Sequence, residues 1–340
     1  MKILYPIFII IICWGCTGSK TEKHQSKRDN IINVRGKLRE IKVEDVFISN
    51  FSWPYVIDNY LIISDYHSYD KQIHIFDKNS FGYVTSIADK GKGPGEIVTV
   101  GHIVSDKVRR KFYVSDLGKQ RIFSYDLDSV LVNPSYIPQV KMETNQSRHP
   151  LDYMYVNDTL CFGTIVEPTG ESGYNQLMAK WNMITGEIKP MKYTHPDIEK
   201  KRVSFAASIK RGIYAECYHH HDLMTVCSLD GELKYNVYGN KWDSRKTNSV
   251  EYYGDVAIIK DKIMVLYSSG DKRFSEDGQS ITTYPTKFLV FDINGDYFQT
   301  LETEYWIVNF CYDEENNRII VHLDDEMQFA YIELDGLLEK

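Results

Sequence analysis

The sequence predicts an all-β protein, a six-bladed β-propeller with four antiparallel strands per blade. Three observations predict it. A meander of short strand-like runs recurs about every 50 residues. Tight-turn dipeptides fall at one place in the copies, and the chain stops before its last copy is complete.

In the first copy, residues 61–65, 72–77 and 83–87 are rich in β-branched and aromatic residues and are separated by polar turns. Gly91, Gly93, Pro94 and Gly95 then break both helix and sheet. The second copy holds runs at 111–116 and 121–126, and the third at 159–164 and 177–182. The fourth holds 212–217 and 223–227, the fifth 262–267 and 288–292, and the sixth 318–323 and 329–333. Thr185-Gly186, Asp230-Gly231, Asn294-Gly295 and Asp335-Gly336 follow the third strands. Asn-Gly and Asp-Gly are strong hairpin signals because their central residues adopt positive φ. An apolar run at 55–57, 102–104, 154–156, 205–207, 256–258 or 307–310 precedes each second strand and supplies the first.

A lone four-stranded sheet exposes two apolar faces; a ring of sheets buries both. After Gly336 too little chain remains for a secure outer strand. Residues 31–43 are expected to supply it, joining the two ends of the chain. The propeller is then expected over 31–340; of the segment ahead of it, 1–15 is expected to be a signal peptide and 16–30 a lipidated cysteine with a flexible tether.

The chain of 340 residues is 43% hydrophobic and 26% charged, enough apolar content for a sizeable core. Its formal net charge of -7 argues against nucleic acid or anionic lipid as the main partner. At the N-terminus, Lys2 precedes an apolar run at 3–12, too short for a stable span, and then Cys13-Trp14-Gly15-Cys16. A small residue before Cys16 resembles the bacterial lipoprotein signal, which implies that Cys16 becomes the acylated N-terminus. Thr17 is not the Asp that retains many such proteins in the inner membrane, so the resemblance implies an exported, membrane-anchored protein of the cell envelope, in the outer membrane. Cys161, Cys217, Cys227 and Cys311 remain. With a turn centred near His220, Cys217 faces Leu223 and Cys227 lies about four residues out of register, too far for a disulfide; buried free thiols are expected.

Gly91-Lys92-Gly93-Pro94-Gly95-Glu96, after a strand that follows a hydrophobic-Phe-Asp unit, resembles the G-x-G-P-G-E signature of TolB-like six-bladed propeller lipoproteins. NHL-type propellers carry a related loop. The resemblance covers about residues 30–340 and implies fold and location. It implies little about activity. The loop is no phosphate cradle, since no helix follows and the Walker Lys-Ser/Thr is missing.

Loops joining second to third strands, and those joining blades, gather on one face of a propeller. That geometry nominates His67, Tyr69, Lys119, Arg121, Tyr218, His219, His221, Arg273 and Asp324 as ligand-binding candidates. Insertions at 167–174 and 269–285 are expected to form a lip on this face. His102, Asp152, Asp255 and Asn309 fall on channel-lining strands. Lactonase-like propellers hold a metal on acids and amides in such places, so these four are metal candidates. Neither G-x-S-x-G nor H-E-x-x-H occurs, and the sequence fixes no cofactor and no catalytic residue. Two functions remain open: an envelope lipoprotein that binds or scaffolds a peptide, glycan or protein through its loop face, or a metal-dependent hydrolase or lyase acting in the channel.

Overall fold

The computed structural model describes residues 21–145, 147–170, 173–245, 249–273, 275, 278–281 and 283–339. The expected signal peptide at 1–15 and Cys16 lie outside them.

Six antiparallel sheets stand around one axis, a six-bladed β-propeller. From the axis outward, blade 1 is Ser52–Ile57, Tyr60–Asp65, Lys71–Asp77 and Tyr83–Asp89, and blade 2 is Val100–Asp106, Lys111–Asp116, Arg121–Asp126 and Gln139–Glu143. Blade 3 is His149–Asn157, Leu160–Pro168, Tyr174–Trp181 and Ile188–Pro190; blade 4 is Val203–Ser208, Ile213–Tyr218, Leu223–Ser228 and Leu233–Tyr238. Blade 5 is Val250–Ile259, Lys262–Lys272, Lys287–Asp292 and Tyr297–Glu302, and blade 6 is Ile307–Asp313, Arg318–Leu323, Phe329–Glu333 and, from the other end of the chain, Arg39–Ile41.

Period-two alternation builds the ring. In the second strand of blade 1, Leu61 and Ile63 pack toward blade 6, while Ile62 packs toward blade 2. In blade 5, Ile263 and Val265 face blade 4, while Met264 and Leu266 face blade 6. Because both faces are apolar, the second strands read as near-continuous hydrophobic runs. Closure therefore buries every sheet on two sides.

Phe329 pairs with Ile41 and Tyr331 with Arg39, so part of the 31–43 segment closes the last blade as expected. Ile31–Asn33 does something else: it pairs in parallel with Tyr297–Glu302 on the outer edge of blade 5. Glu22–His24 does the same on Leu233–Tyr238 of blade 4. From Thr21 onward the expected tether is thus a strap. The outer strands of these blades offer unpaired backbone groups, and the strap satisfies them.

Arg28, midway along the strap, holds it down. Its guanidinium donates to Asp222 Oδ1 at 2.8 Å and to the Tyr253 hydroxyl at 2.9 Å, and lies over the Tyr267 ring. Burial works against its charge, but Tyr253, Asp222 and Tyr267 outweigh that and raise its pKa. Gly239 passes so close to Asp222 that a Cβ there would stand 2.0 Å from the carboxylate.

The four cysteines among the described residues are free. The blade 4 hairpin pairs one residue out from the expected register: Cys217 lies opposite Met224 rather than Leu223, and Cys227 opposite Tyr214. The insertions expected to form a lip are in part strand. Leu160–Pro168 pairs along its length with Tyr174–Trp181, and Lys262–Lys272 runs out to pair Lys272 with Val250.

Candidate ligand site on the propeller axis

The first strands of all six blades enclose a cavity of about 470 Å3. Trp53, Gly101, Asp152, Ser204, Asp255 and Phe310 are one contribution from each blade in turn. Trp53 pairs with Ser64, and Ser52 with Asp65, so the start of a first strand and the end of a second lie at the same end of the sheet. Tyr66 and Leu117, which follow the second strands of blades 1 and 2, therefore join Trp53 at the mouth. Trp53 and Tyr66 are each 39% exposed, which leaves ring surface free for a ligand. The His67 ring extends this aromatic edge, 4.1 Å from the Phe51 ring centre and 5.5 Å from that of Tyr66.

The cavity's polar side chains arrive through irregular backbone. Pairing slips between Val100 and Ile103 in blade 2, between Pro150 and Asp152 in blade 3, and between Glu251 and Val256 in blade 5. Such bulges break the alternation and re-aim side chains. They turn His102, Asp152 and Asp255 onto the axis. Gly163 permits the bulge at Asp152: a Cβ there would stand 2.3 Å from the Asp152 carbonyl oxygen.

His102 is committed on both nitrogens. Nε2 donates to the Tyr153 carbonyl at 2.8 Å, and Nδ1 stands 3.2 Å from Asp152 Oδ1. Tyr55 packs edge-on against this ring at 5.7 Å. Burial, with the Asp152 charge nearby, pushes the Asp255 carboxyl up to about 7, against a backbone N–H bond from Phe310. Burial likewise raises the Tyr55 phenol. The lining holds two carboxylates and one imidazole, and neither Lys nor Arg.

Asn309 does not join them. Its amide donates to the Ser52 carbonyl at 2.7 Å, in the seam between blades 6 and 1. His322 contacts the same carbonyl at 3.1 Å, and burial lowers its pKa to about 4. Among the described residues, no group of three or more His, Cys, Asp or Glu side chains is arranged to hold a metal ion. His102, Asp152 and Asp255 share the cavity without forming a ligand set.

The loop-face candidates separate. His67 and Tyr69 are exposed, Tyr69 almost fully at 96%. Lys119 is a latch: its ammonium donates to the carbonyls of Gly93 and Glu96 at 2.7 and 2.6 Å. It closes the glycine-rich loop, whose Gly93 N–H donates to the Glu96 carboxylate at 2.6 Å. At Gly91 a Cβ would stand 2.0 Å from that carboxylate, which is why the loop is built from glycine. Arg121 pairs with Glu143 of its own blade at 2.8 Å and Arg273 with Glu251 at 2.9 Å. Asp324 accepts from Asn50 at 3.3 Å.

Tyr218 is fully buried and belongs to the core. The three histidines after it are not a solvated loop, and their rings take separate partners. His220 contacts the Val250 carbonyl at 3.0 Å and His221 that of Asp243 at 3.1 Å. Burial, helped by His220, Arg273 and Arg202, lowers the His219 pKa to about 4.

Sequence reasoning missed the groups that clamp one blade to the next. Asp65 accepts from the Ser49 and His67 N–H groups, and Asp116 from those of Val98, Thr99, Gly118 and Lys119. Gln72 grips Ile97 and Val100, and Gln176 grips Val203 through both its amide atoms. The recurring Ser-Asp at 64–65 and 115–116 was the available signal. Trp53 and Tyr66 were missed because nothing local separates a rim aromatic from a core one.

Fold and cavity together define a six-bladed β-propeller with a ligand-sized opening on its axis. A family model described as a 6-bladed beta-propeller, DUF5128, matches residues 43–175. No curated protein matches the chain. Among solved structures, a Bacteroides fragilis protein described as exported is 11% identical over 92% of this chain and 98% of its own, with a TM-score of 0.55. A DUF4221 family member from Bacteroides vulgatus is 13% identical over 87% and 94%, with a TM-score of 0.59. A gluconolactonase from Xanthomonas campestris is 11% identical over 81% and 82%, with a TM-score of 0.51. At these identities the likeness is one of fold.

Proposed function

We propose that this protein is an exported, lipid-anchored binding propeller that takes a small ligand, or the end of a larger one, into the axial cavity. One observation carries the reading: all six first strands converge on a single opening with aromatic walls and a few convergent polar groups, the usual composition of a ligand pocket. Lys119, Arg121, Arg273 and the buried Tyr218 are engaged within the fold, which supports the axis over the loop face as the site. The metal-dependent alternative lacks a ligand set among the described residues.

The Gly15-Cys16 signal supports a lipid anchor, and the G-x-G-P-G-E loop supports kinship with TolB-like lipoproteins. An extended chain spans at most about 3.5 Å per residue. A lipid on Cys16 would then hold Thr21, and the outer edge of blade 4 beside it, within roughly 18 Å of the membrane. No helix among the described residues is long and apolar enough to cross a membrane.

The test uses the full chain in detergent, labelled and applied to arrays of short peptides and oligosaccharides. Leu151→Trp, which fills the cavity, should abolish wild-type binding, while Tyr69→Ser should leave it intact. The reverse pattern would return the site to the loop face. Radiolabelled palmitate should enter the wild-type protein in cells and not Cys16→Ser.

A further inference from the structure

We infer that the axial cavity is built for an organic cation, a primary or quaternary ammonium group. The inference rests on the axial reading above and adds the chemistry of the ligand.

The walls come first. Trp53, Tyr55, Tyr66, Phe205 and Phe310 line the opening. A ring face attracts a cation through its quadrupole, most strongly in a desolvated site, and Trp is the best of the rings. The same faces would also stack on a sugar, so they do not decide between the two.

Charge decides. Asp152 and Asp255 face one space from blades 3 and 5, with His102 as the sole basic group in the lining. His102 is spent on Asp152 and on the Tyr153 carbonyl. The cations around the mouth are engaged elsewhere. Lys119 holds the glycine-rich loop, Arg121 holds Glu143, and Arg148 pairs with Glu167. Arg202 donates to the Lys201 and Tyr174 carbonyls and lies 3.6 Å over the Tyr174 ring. No basic side chain of the lining is left to neutralise Asp255.

An anionic ligand would meet Asp255 with no cation to offset it, since His102 already faces Asp152. At pH 8 a neutral sugar would leave the ionised Asp255 unmatched. An ammonium group satisfies both the carboxylate and the rings. The raised proton affinity of Asp255 agrees with this: burial and the neighbouring Asp152 charge both disfavour its ionised form. At about 470 Å3 the cavity admits an alkylammonium or a lysine-like side chain and excludes a folded partner.

The experiment is calorimetric titration of the full chain in detergent at pH 8 with cadaverine, choline, maltotriose and citrate. Cadaverine or choline should bind, and maltotriose and citrate should not. Asp255→Asn, which keeps the shape and removes the charge, should weaken the ammonium probe tenfold or more. Trp53→Ala, at an exposed position where folding is safe, should weaken it at least fivefold. Leu151→Trp should abolish it.

Maltotriose binding that Leu151→Trp abolishes, with neither ammonium probe bound, would overturn the cation inference and leave the axial reading standing. Ammonium binding unchanged in both Asp255→Asn and Trp53→Ala would also overturn the inference. Binding of any probe that survives Leu151→Trp, or no probe bound by wild type, would count against the axial reading and the inference with it.

Discussion

The turns after the second strands of blades 1 and 4 occupy the same place in the repeat and have opposite fates. In blade 1 the aspartate comes before the turn. Asp65 accepts from Ser49 and His67 nearby, and Tyr66, His67 and Tyr69 are left facing solvent. In blade 4 the aspartate comes after the turn. Asp222 is fully buried and collects Arg28, the Tyr253 and Tyr267 hydroxyls and the Lys241 N–H. The histidine run beside that hub is held against the protein by the Val250 and Asp243 carbonyls. An open turn can serve a ligand; a pinned one serves the fold.

The largest expected effect tests that contrast directly. Asp222→Ala leaves the Arg28 charge buried without its partner and should cost about 3–5 kcal/mol in denaturant unfolding. Asp65→Ala removes local hydrogen bonds and should cost about 1–2 kcal/mol. Equal losses would erase the distinction between the turns.

Asp255→Asn comes next, with the opposite sign. Folding raises this carboxyl from 3.8 to about 7. Its contribution is therefore fully present below the unfolded pKa and is lost as pH rises through 7. Asn removes the penalty, so the variant should gain on the order of 2 kcal/mol at pH 8 and nothing near pH 3. His219 and His322 act the other way. Folding depresses both to about 4, so the stability they permit above 6.5 is lost as pH falls toward 4. Replacing His322 with Gln should flatten the acid limb of the wild-type melting profile between those values.

Lys119→Met should cost about 1 kcal/mol, because two carbonyls of the glycine-rich loop lose their donor. Faster amide exchange confined to residues 91–97 would show the loop released. The smallest effect belongs to the open rim. Trp53→Ala should change stability by under about 0.5 kcal/mol while weakening ligand capture. A large loss of stability there would make Trp53 a structural residue and close the comparison.

Much of the fold was legible because a blade is a local object. Most strands within a blade pair with their sequence neighbours through short turns, the links from Asp126 to Gln139 and from Lys272 to Lys287 being the long ones, and the Asp-Gly and Asn-Gly signals mark several of the turns; there Gly231 and Gly295, but not Asp230 and Asn294, take positive φ, 80° and 79°. The closing strand was legible from an absence, since the last copy ended without its outer member. The site was less so. Lys119 and Tyr218 stood at the right place in the repeat and proved to be a latch and a core residue. Asn309 stood on a channel strand and turned into a seam. Alternation gives the face a side chain takes only until a bulge intervenes, and no dipeptide announced the slips at His102, Asp152 and Asp255.

By itself, then, the sequence determined the repeat, the number of sheets and the need for a strand from the other end, because burying two apolar faces per sheet leaves a ring as the solution. Tertiary structure alone decided which polar groups would be spent and which would face the axis. Arg28 and Asp222 lie 194 residues apart and meet only when the ring is closed and the strap laid along it. Pairings of that range depend on the summed geometry of every blade between them, and no short stretch of chain encodes that sum.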